Sequence, residues 1–447
     1  MGISFTTDQV MAMAPDSRSS AKARQLATPR HWQRLGQSIE ADGAGVLWGE
    51  CQGSALYQVR VDLTSMTPAC SCPSRKQPCK HALALLLLAV EQPASLDSGP
   101  APEWVAQWLK RRTASRKPPS EEAEGVTSPK VTKSASPATA KRAEKRLALV
   151  TAGMEQLDLW LRDIARNGLG SVETQPAKFW HNQAAAMVDA QAPGIATRVR
   201  RLAGIPNSSP GWPEKLLVQL GQLALLVEAF RRLETLDAAL QEDVRQAIGW
   251  TLNQDEVATS GERVEDNWLL LGQVMGDEEQ RVRTQRTWLL GSKTQRPALI
   301  LQFSAGGVSF PEAFPIGMCQ RAELIYWPGA SHMRARIENR REVTPIRQHF
   351  GEESIAAFLA NVAALLARSP WQERFLCALR NVIPLYAANR HWYARDSEGD
   401  ALPLSPSFEH WQLLALSGGL PIDLAAEWDG ETLTPLGVLA DNAYHIL

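Results

Sequence analysis

The chain has 447 residues, of which 44% are hydrophobic and 21% charged, and its formal net charge is −1. These are values of a soluble globular protein, and the length points to about two to four domains rather than one core. Six cysteines are too few for a disulfide scaffold, and the longest solid apolar run, Ala82 to Val90, is too short to span a bilayer, so no membrane role is expected.

In chain order, "SSAKARQLA" reads as a helix. "AGVLWGEC" and "ALYQVRVDL" then alternate apolar and polar residues around Gly53 and Ser54, a β-hairpin signature. "CSCPSRKQPCKH", residues 70–81, interrupts that pattern. The following "KHALALLLLAV" is apolar on every side, which predicts a buried helix. "PEWVAQWLKRR" places Trp104 and Trp108 four apart on one helical face.

Residues 1–109 carry nine basic and nine acidic side chains, whereas residues 110–146 carry eleven and four, a net of +7. The remainder is therefore −8, since −1 − 0 − 7 = −8. The segment 110–146 is rich in proline, serine, threonine, alanine and charge, with almost nothing large and apolar. Such a stretch cannot bury enough surface to offset the entropy of ordering, and a flexible basic linker is expected.

Beyond it, Leu147, Val150, Met154, Leu157, Leu161 and Ile164 recur at helical spacing, as do Leu216, Leu220, Leu223, Val227 and Phe230. Both segments read as long amphipathic helices packed within one domain. From about residue 265 strands take over in "NWLLLGQVM", "RVRTQRTWLLG", "PALILQFS" and "RAELIYW". A helix, "SIAAFLANVAALLA", interrupts them. "GDEEQ" at 276–280 reads as a solvated turn, and Ser417-Gly418-Gly419 and Asp429-Gly430 as hairpin turns. The expected organisation is an N-terminal module over 1–109, the linker over 110–146, a helical region over 147–260 and a mainly antiparallel β-rich region over 261–447. The fold class is α+β.

The stretch 70–81 carries the chemistry. Cys70 and Cys72 are two apart, so at a strand end their side chains leave one face. Cys79 and His81 stand where the buried helix begins, just after Pro78. Three thiolates and one imidazole make a closed tetrahedral donor set with no position left for substrate. The helix N-terminus, Arg75, Lys76 and Lys80 all favour the thiolate forms. Zinc fits best and iron second. A Cys70–Cys72 or Cys72–Cys79 disulfide is disfavoured in a reducing compartment, and it would leave the His81 spacing a coincidence. No export signal precedes the module, so a cytoplasmic location is expected. Cys51 reads as a core cysteine in the hairpin. Cys319, Cys377 and the other seven histidines lack metal-ligand spacing.

The pattern C-x-C, six residues, C-x-H, following a hairpin and leading into an apolar helix, resembles the SWIM zinc finger. "LWGECQGSALYQVRVDL" and "CSCPSRKQPCKHALALLLLAV" are similar to the N-terminal module of the bacterial SWIM zinc-finger family, over roughly residues 1–112. The resemblance implies a ββα finger, at about 44–92, that binds zinc through Cys70, Cys72, Cys79 and His81. It also implies binding to DNA or to other proteins, with a MoxR-type ATPase or a von Willebrand A-domain protein as candidate partners.

No phosphate-binding, dinucleotide-binding, zinc-protease or nucleophile-elbow motif occurs; Gly43-Ala44-Gly45 lacks the third glycine of a dinucleotide loop. The expectation is a non-catalytic, zinc-binding adaptor protein. Nucleic-acid binding is the alternative. A Zn²⁺ with three thiolates contributes −1, which trims the patch of Arg75, Lys76 and Lys80 to about +2, and the linker is the stronger electrostatic feature.

Overall fold

A computed structural model describes residues 5–39, 45–64, 66–74, 76–116, 137–250, 252–276, 282–305 and 310–447. The N-terminal region runs α1 (Thr7–Ala12), α2 (Ser17–Leu26), β1 (Trp32–Ile39), β2 (Gly45–Gln52), β3 (Leu56–Asp62), β4 (Thr67–Cys70), α3 (Lys80–Glu91), β5 (Asp97–Ser98) and α4 (Glu103–Arg116). Thr6 and Gln9 close a capping box on α1, and the Asp16 carboxylate accepts from Ser19 N at the start of α2.

The five strands lie in the order β4-β3-β2-β1-β5, antiparallel except for the β1–β5 pair. The expected hairpin is β2–β3, but it sits inside this wider sheet. The sequence reading missed β1 because only Trp32, Leu35 and Ile39 of its eight residues are large and apolar. Alternation along β2 then divides two layers. Leu47 and Cys51 face α3, whose residues from Ala82 to Ala89 are all buried. Val46 and Trp48 face α4 through Val105, Trp104 and Trp108.

The segment 110–146, expected as a linker, is helical at both of its ends. Helix α4 reaches Arg116, and α5 (Pro137–Asn167) begins ten residues ahead of residue 147. The flanks "KRRTASR" and "ATAKRAEKR" are rich in good helix formers, which a boundary drawn on charge and small residues misread as chain. Residues 117–136 lie outside the described residues.

The helical region continues through α6 (Gly170–Glu173), α7 (Ala177–Asp189), α8 (Pro193–Leu202), α9 (Trp212–Arg231), α10 (Ala238–Ile248) and α11 (Gln254–Ser260). Val150, Met154, Leu157, Leu161 and Ile164 of α5 share a core with Leu216, Leu220, Leu223, Val227 and Phe230 of α9. Both helical seams are thus spent inside the molecule; Leu147, at the end of the first, is exposed.

The C-terminal region holds β6 (Glu262–Met275), β7 (Val282–Gly291), β8 (Pro297–Ala305), β9 (Met318–Tyr326), β10 (Ala335–Glu338), β11 (Val343–Pro345), α12 (Ile355–Arg368), β12 (Phe375–Tyr386), β13 (Trp392–Arg395), β14 (Ala401–Pro403), α13 (His410–Ser417), β15 (Ile422–Trp428), β16 (Leu433–Ala440) and β17 (Ala443–Ile446). They form two antiparallel sheets of six strands. The first is ordered β10-β9-β6-β7-β8, with β11 also on β9, and the second β14-β13-β12-β15-β16-β17. The sheets touch where Gly272 of β6 meets β16; a Cβ there would lie 2.5 Å from Leu436 Cβ. Around that contact Arg286 pairs with the buried Glu427, which also accepts from Trp288 Nε1 at 2.7 Å.

Asp429-Gly430 does turn β15 into β16, with Asp429 Oδ1 accepting from Glu431 N and Thr432 N. Ser417-Gly418-Gly419 does not form a hairpin turn. It ends α13, where Gly418 takes the left-handed conformation at φ +57° that closes a helix. The "GDEEQ" turn lies outside the described residues, save Gly276.

The regions are joined by specific contacts. Gln9 Nε2 of α1 donates to Gly317 O, and Ala313 and Val343 pack on the N-terminal core. Arg198 of α8 donates to Trp371 O and pairs with Glu373. Among the described residues no helix is long and apolar enough to cross a membrane.

Candidate metal centre

The four predicted ligands come from two elements. Strand β4 ends at Cys70, opposite Val59 of β3. Ser71 keeps the chain on β3 through two bonds, Ser71 N to Gln58 O and Gln58 N to Ser71 Oγ. Cys72 therefore lies just past the strand, in the bend, rather than within it. Its N–H points at Cys70 Sγ, 3.5 Å away. On the other side Cys79 is the N-cap of α3 and His81 stands in its first turn. Cys79 and His81 are each 3% exposed, whereas Cys70 and Cys72 are half-buried. The site is thus sealed on its helix side and open to solvent on its loop side.

The four ligand atoms all lie within 4.8 Å of one another, and Cys70 Sγ is 3.8 Å from His81 Nδ1. A tetrahedron with zinc–sulfur bonds of about 2.3 Å and a zinc–nitrogen bond of about 2.0 Å has edges of roughly 3.6 to 3.8 Å. The donor set and its spacing fit Zn²⁺. All six cysteines are free thiols, so no disulfide competes for the site. The His81 ring packs on Tyr57 at 4.9 Å between centroids, and the Tyr57 hydroxyl bonds Ser54 Oγ. That contact fixes the imidazole plane with Nδ1 toward the thiols.

The thiols are unequal. Hydrogen bonding from Cys70 pulls the Cys79 thiol down to about 4 against the opposing effect of burial, with His81 and the Ala82 N–H adding to it. The same bond to Cys79, together with burial, pushes Cys70 well up, and burial raises Cys72. The helix N-terminus thus favours the thiolate form at Cys79, and the charge of a bound metal would favour it at the other two.

Cys51 lies in the core near these thiols, and burial raises it to about 11. It behaves as a small apolar side chain, as expected. Trp104 and Trp108 pack on the sheet face opposite α3, and Arg60 covers both rings at 5.5 and 5.4 Å. Lys76 pairs with Asp16. Arg75 lies outside the described residues.

Two further groupings escaped the sequence reading because their members are distant in the chain or sit in a turn. Asp423, 2% exposed, accepts from His349 Nδ1 at 2.8 Å and from Phe350 N and Asn381 N. Asp396, Glu398 and Asp400 gather in one turn, where Asp396 accepts from the backbone N–H groups of Glu398, Gly399, Asp400 and Ile355. Both are backbone anchors. A cavity of about 480 Å³ lies beside α12, lined by Met333, Phe358, Val362 and Phe375 among others.

Fold and donor set together define a closed, structural metal-binding finger mounted on a larger α+β protein. Residues 57–89 match the SWIM zinc finger, and residues 145–248 match the SWIM-associated four-helix bundle domain. The chain therefore carries a SWIM zinc finger and, beyond it, a SWIM-associated helical domain. The bundle match covers α5 through α10, of which the sequence had shown the seams of α5 and α9. No curated protein and no solved structure matches the chain.

Proposed function

We propose that this chain is a non-catalytic adaptor of the cytoplasm, in which Cys70, Cys72, Cys79 and His81 hold a structural Zn²⁺ and the finger presents a rigid surface to a protein partner. The observation that carries the reading is the closed donor set. Four protein ligands fill a tetrahedral ion and leave no position for substrate. The charge around the site supports a protein partner over a nucleic acid. Lys76 is neutralised by Asp16, and the tryptophan faces that could stack on bases are covered by Arg60. The family resemblance makes a MoxR-type ATPase or a von Willebrand A-domain protein the first partners to try.

Nucleic-acid binding is the second reading, favoured by the net +7 of residues 110–146. A contact of that kind is salt-sensitive and blind to sequence. One experiment separates the two. The zinc-loaded full chain and Cys72→Ser are used to capture proteins from the native host, and each captured partner is re-tested as a purified component. The same two proteins are titrated with labelled single- and double-stranded DNA at low and moderate salt. A stoichiometric partner that binds the wild type and is lost with Cys72→Ser supports the adaptor. DNA binding that survives moderate salt and needs Cys72 replaces it with the second reading.

A further inference from the structure

The cavity of about 480 Å³ beside α12 lies between that helix, the turn from β7 to β8 and the start of β12. Close packing leaves few voids larger than a water molecule inside a protein, and a space of this size is that of a small-ligand pocket. Its apolar wall is built by Phe358, Val362 and Leu365, which follow one another at helical spacing on α12, and by Phe375 of β12.

Two charged side chains of opposite sign also line the cavity, and neither is spent elsewhere. Glu352 is held by its backbone, with its N–H on Ala378 O and its carbonyl taking the N–H of Arg380. Gly351 before it takes φ +96°, and a Cβ there would lie 2.4 Å from the Ala378 carbonyl carbon, so only a glycine lets the chain run this close to β12. One oxygen of the Glu352 carboxylate accepts from Asn361 Nδ2 at 2.8 Å, and the other has no partner among the described residues. Arg368, exposed in the last turn of α12, has no partner among them either. Asn361 and Arg368 stand seven residues apart on one face of α12. The carboxylate held by Asn361 and the guanidinium are therefore separated by about 10 Å along the helix, with the apolar wall between them.

We infer that this cavity binds a short apolar peptide with both ends free, its α-ammonium on Glu352 and its α-carboxylate on Arg368. Three extended residues span about 10 Å, which matches the separation of the two charges. An acyl chain ending in a carboxylate would use Arg368 and leave Glu352 facing hydrocarbon, and an alkyl amine would leave the arginine idle. Two opposite charges flanking an apolar wall fit a ligand that carries both. The inference is independent of the adaptor reading, since every residue in it belongs to the C-terminal region and none binds zinc.

Isothermal titration of the zinc-loaded full chain with trivaline, its N-acetyl and C-amide forms, and dodecanoate tests it, with a thermal melt of each variant. Trivaline binds, and blocking either end weakens it about tenfold, as loss of a charge-assisted hydrogen bond does. Glu352→Gln weakens trivaline to the same degree but leaves the N-acetyl form unchanged, and Arg368→Gln does the same with respect to the C-amide form. Ala364→Phe fills the cavity from an exposed position of α12, so it abolishes binding while the melting temperature holds. Absence of trivaline binding up to about 1 mM overturns the proposal. So does binding that survives Ala364→Phe or that neither charge change alters. Dodecanoate bound more tightly than trivaline, and weakened by Arg368→Gln alone, overturns the peptide and puts an acyl carboxylate in its place.

Discussion

Cys51 and Cys72 are both cysteines of the N-terminal core, and the difference between them is the sharpest test of the metal centre. Cys72 offers its thiol to the four-atom cluster, whereas Cys51 is enclosed by apolar side chains. Cys72→Ser should lower zinc content from one per chain to well below one and unfold the finger, because the free energy of metal binding is folding free energy in such sites. Cys51→Ala should keep one zinc per chain and cost roughly 1–2 kcal/mol, as loss of a small buried side chain does. Zinc content by elemental analysis and a thermal melt of each variant check the pair. The ligand set was legible because all four members fall within residues 70–81, where the chain itself enforces proximity. The His349–Asp423 bond spans 74 residues and has no such signature.

At the scale of elements, Asp266 of β6 anchors the turn between β7 and β8. It is 4% exposed and accepts from Asn267 N, Lys293 N, Thr294 N and the Thr294 hydroxyl. Burial pushes its carboxyl up, but the bonds from Thr294, Asn267 and Lys293 outweigh it and hold the group below its ordinary value. A carboxyl lowered in the folded state stabilises above its unfolded value, about 3.9, and that stabilisation fades as the pH falls below it. Asp266→Asn should therefore cost about 1–3 kcal/mol at pH 7, and the gap to wild type should narrow progressively as the pH falls below about 3.9, as read by urea unfolding along a falling pH series. Gly272→Val tests the contact between the sheets. Its side chain has no room against Leu436, so it should lower the melting temperature of the β region by overpacking worth about 1–3 kcal/mol or more. Strands β6 through β9 were legible as apolar runs separated by turn residues, because each buries much of its length. Strand β1 was not, because its glycine and glutamines break the pattern while a neighbouring tryptophan, Trp48, fills the space over Gly36.

Among the described residues the three largest cores are one around α3, one in the helical bundle and one between the paired sheets. Zinc bears only on the first. A strong chelator should therefore lower one unfolding transition in calorimetry and leave the others within about 2 °C. A uniform fall in all transitions would mean that the regions unfold as one body. The α-then-β order was readable from the change of period near residue 265. How the regions meet was not, because the contacts rest on single long-range bonds, such as Arg198 to Trp371 O and Gln9 to Gly317 O, that no local pattern encodes.

The separation between Gln9 and Gly317, 308 positions, also sets an order of events during synthesis. The four ligands emerge from the ribosome within a dozen residues of one another, so the nascent finger can take its metal while most of the chain is still untranslated. The surface on which α1 comes to rest is made only much later. Metal capture would then be an early, local step of biogenesis, and seating the loaded module against the sheets a late one.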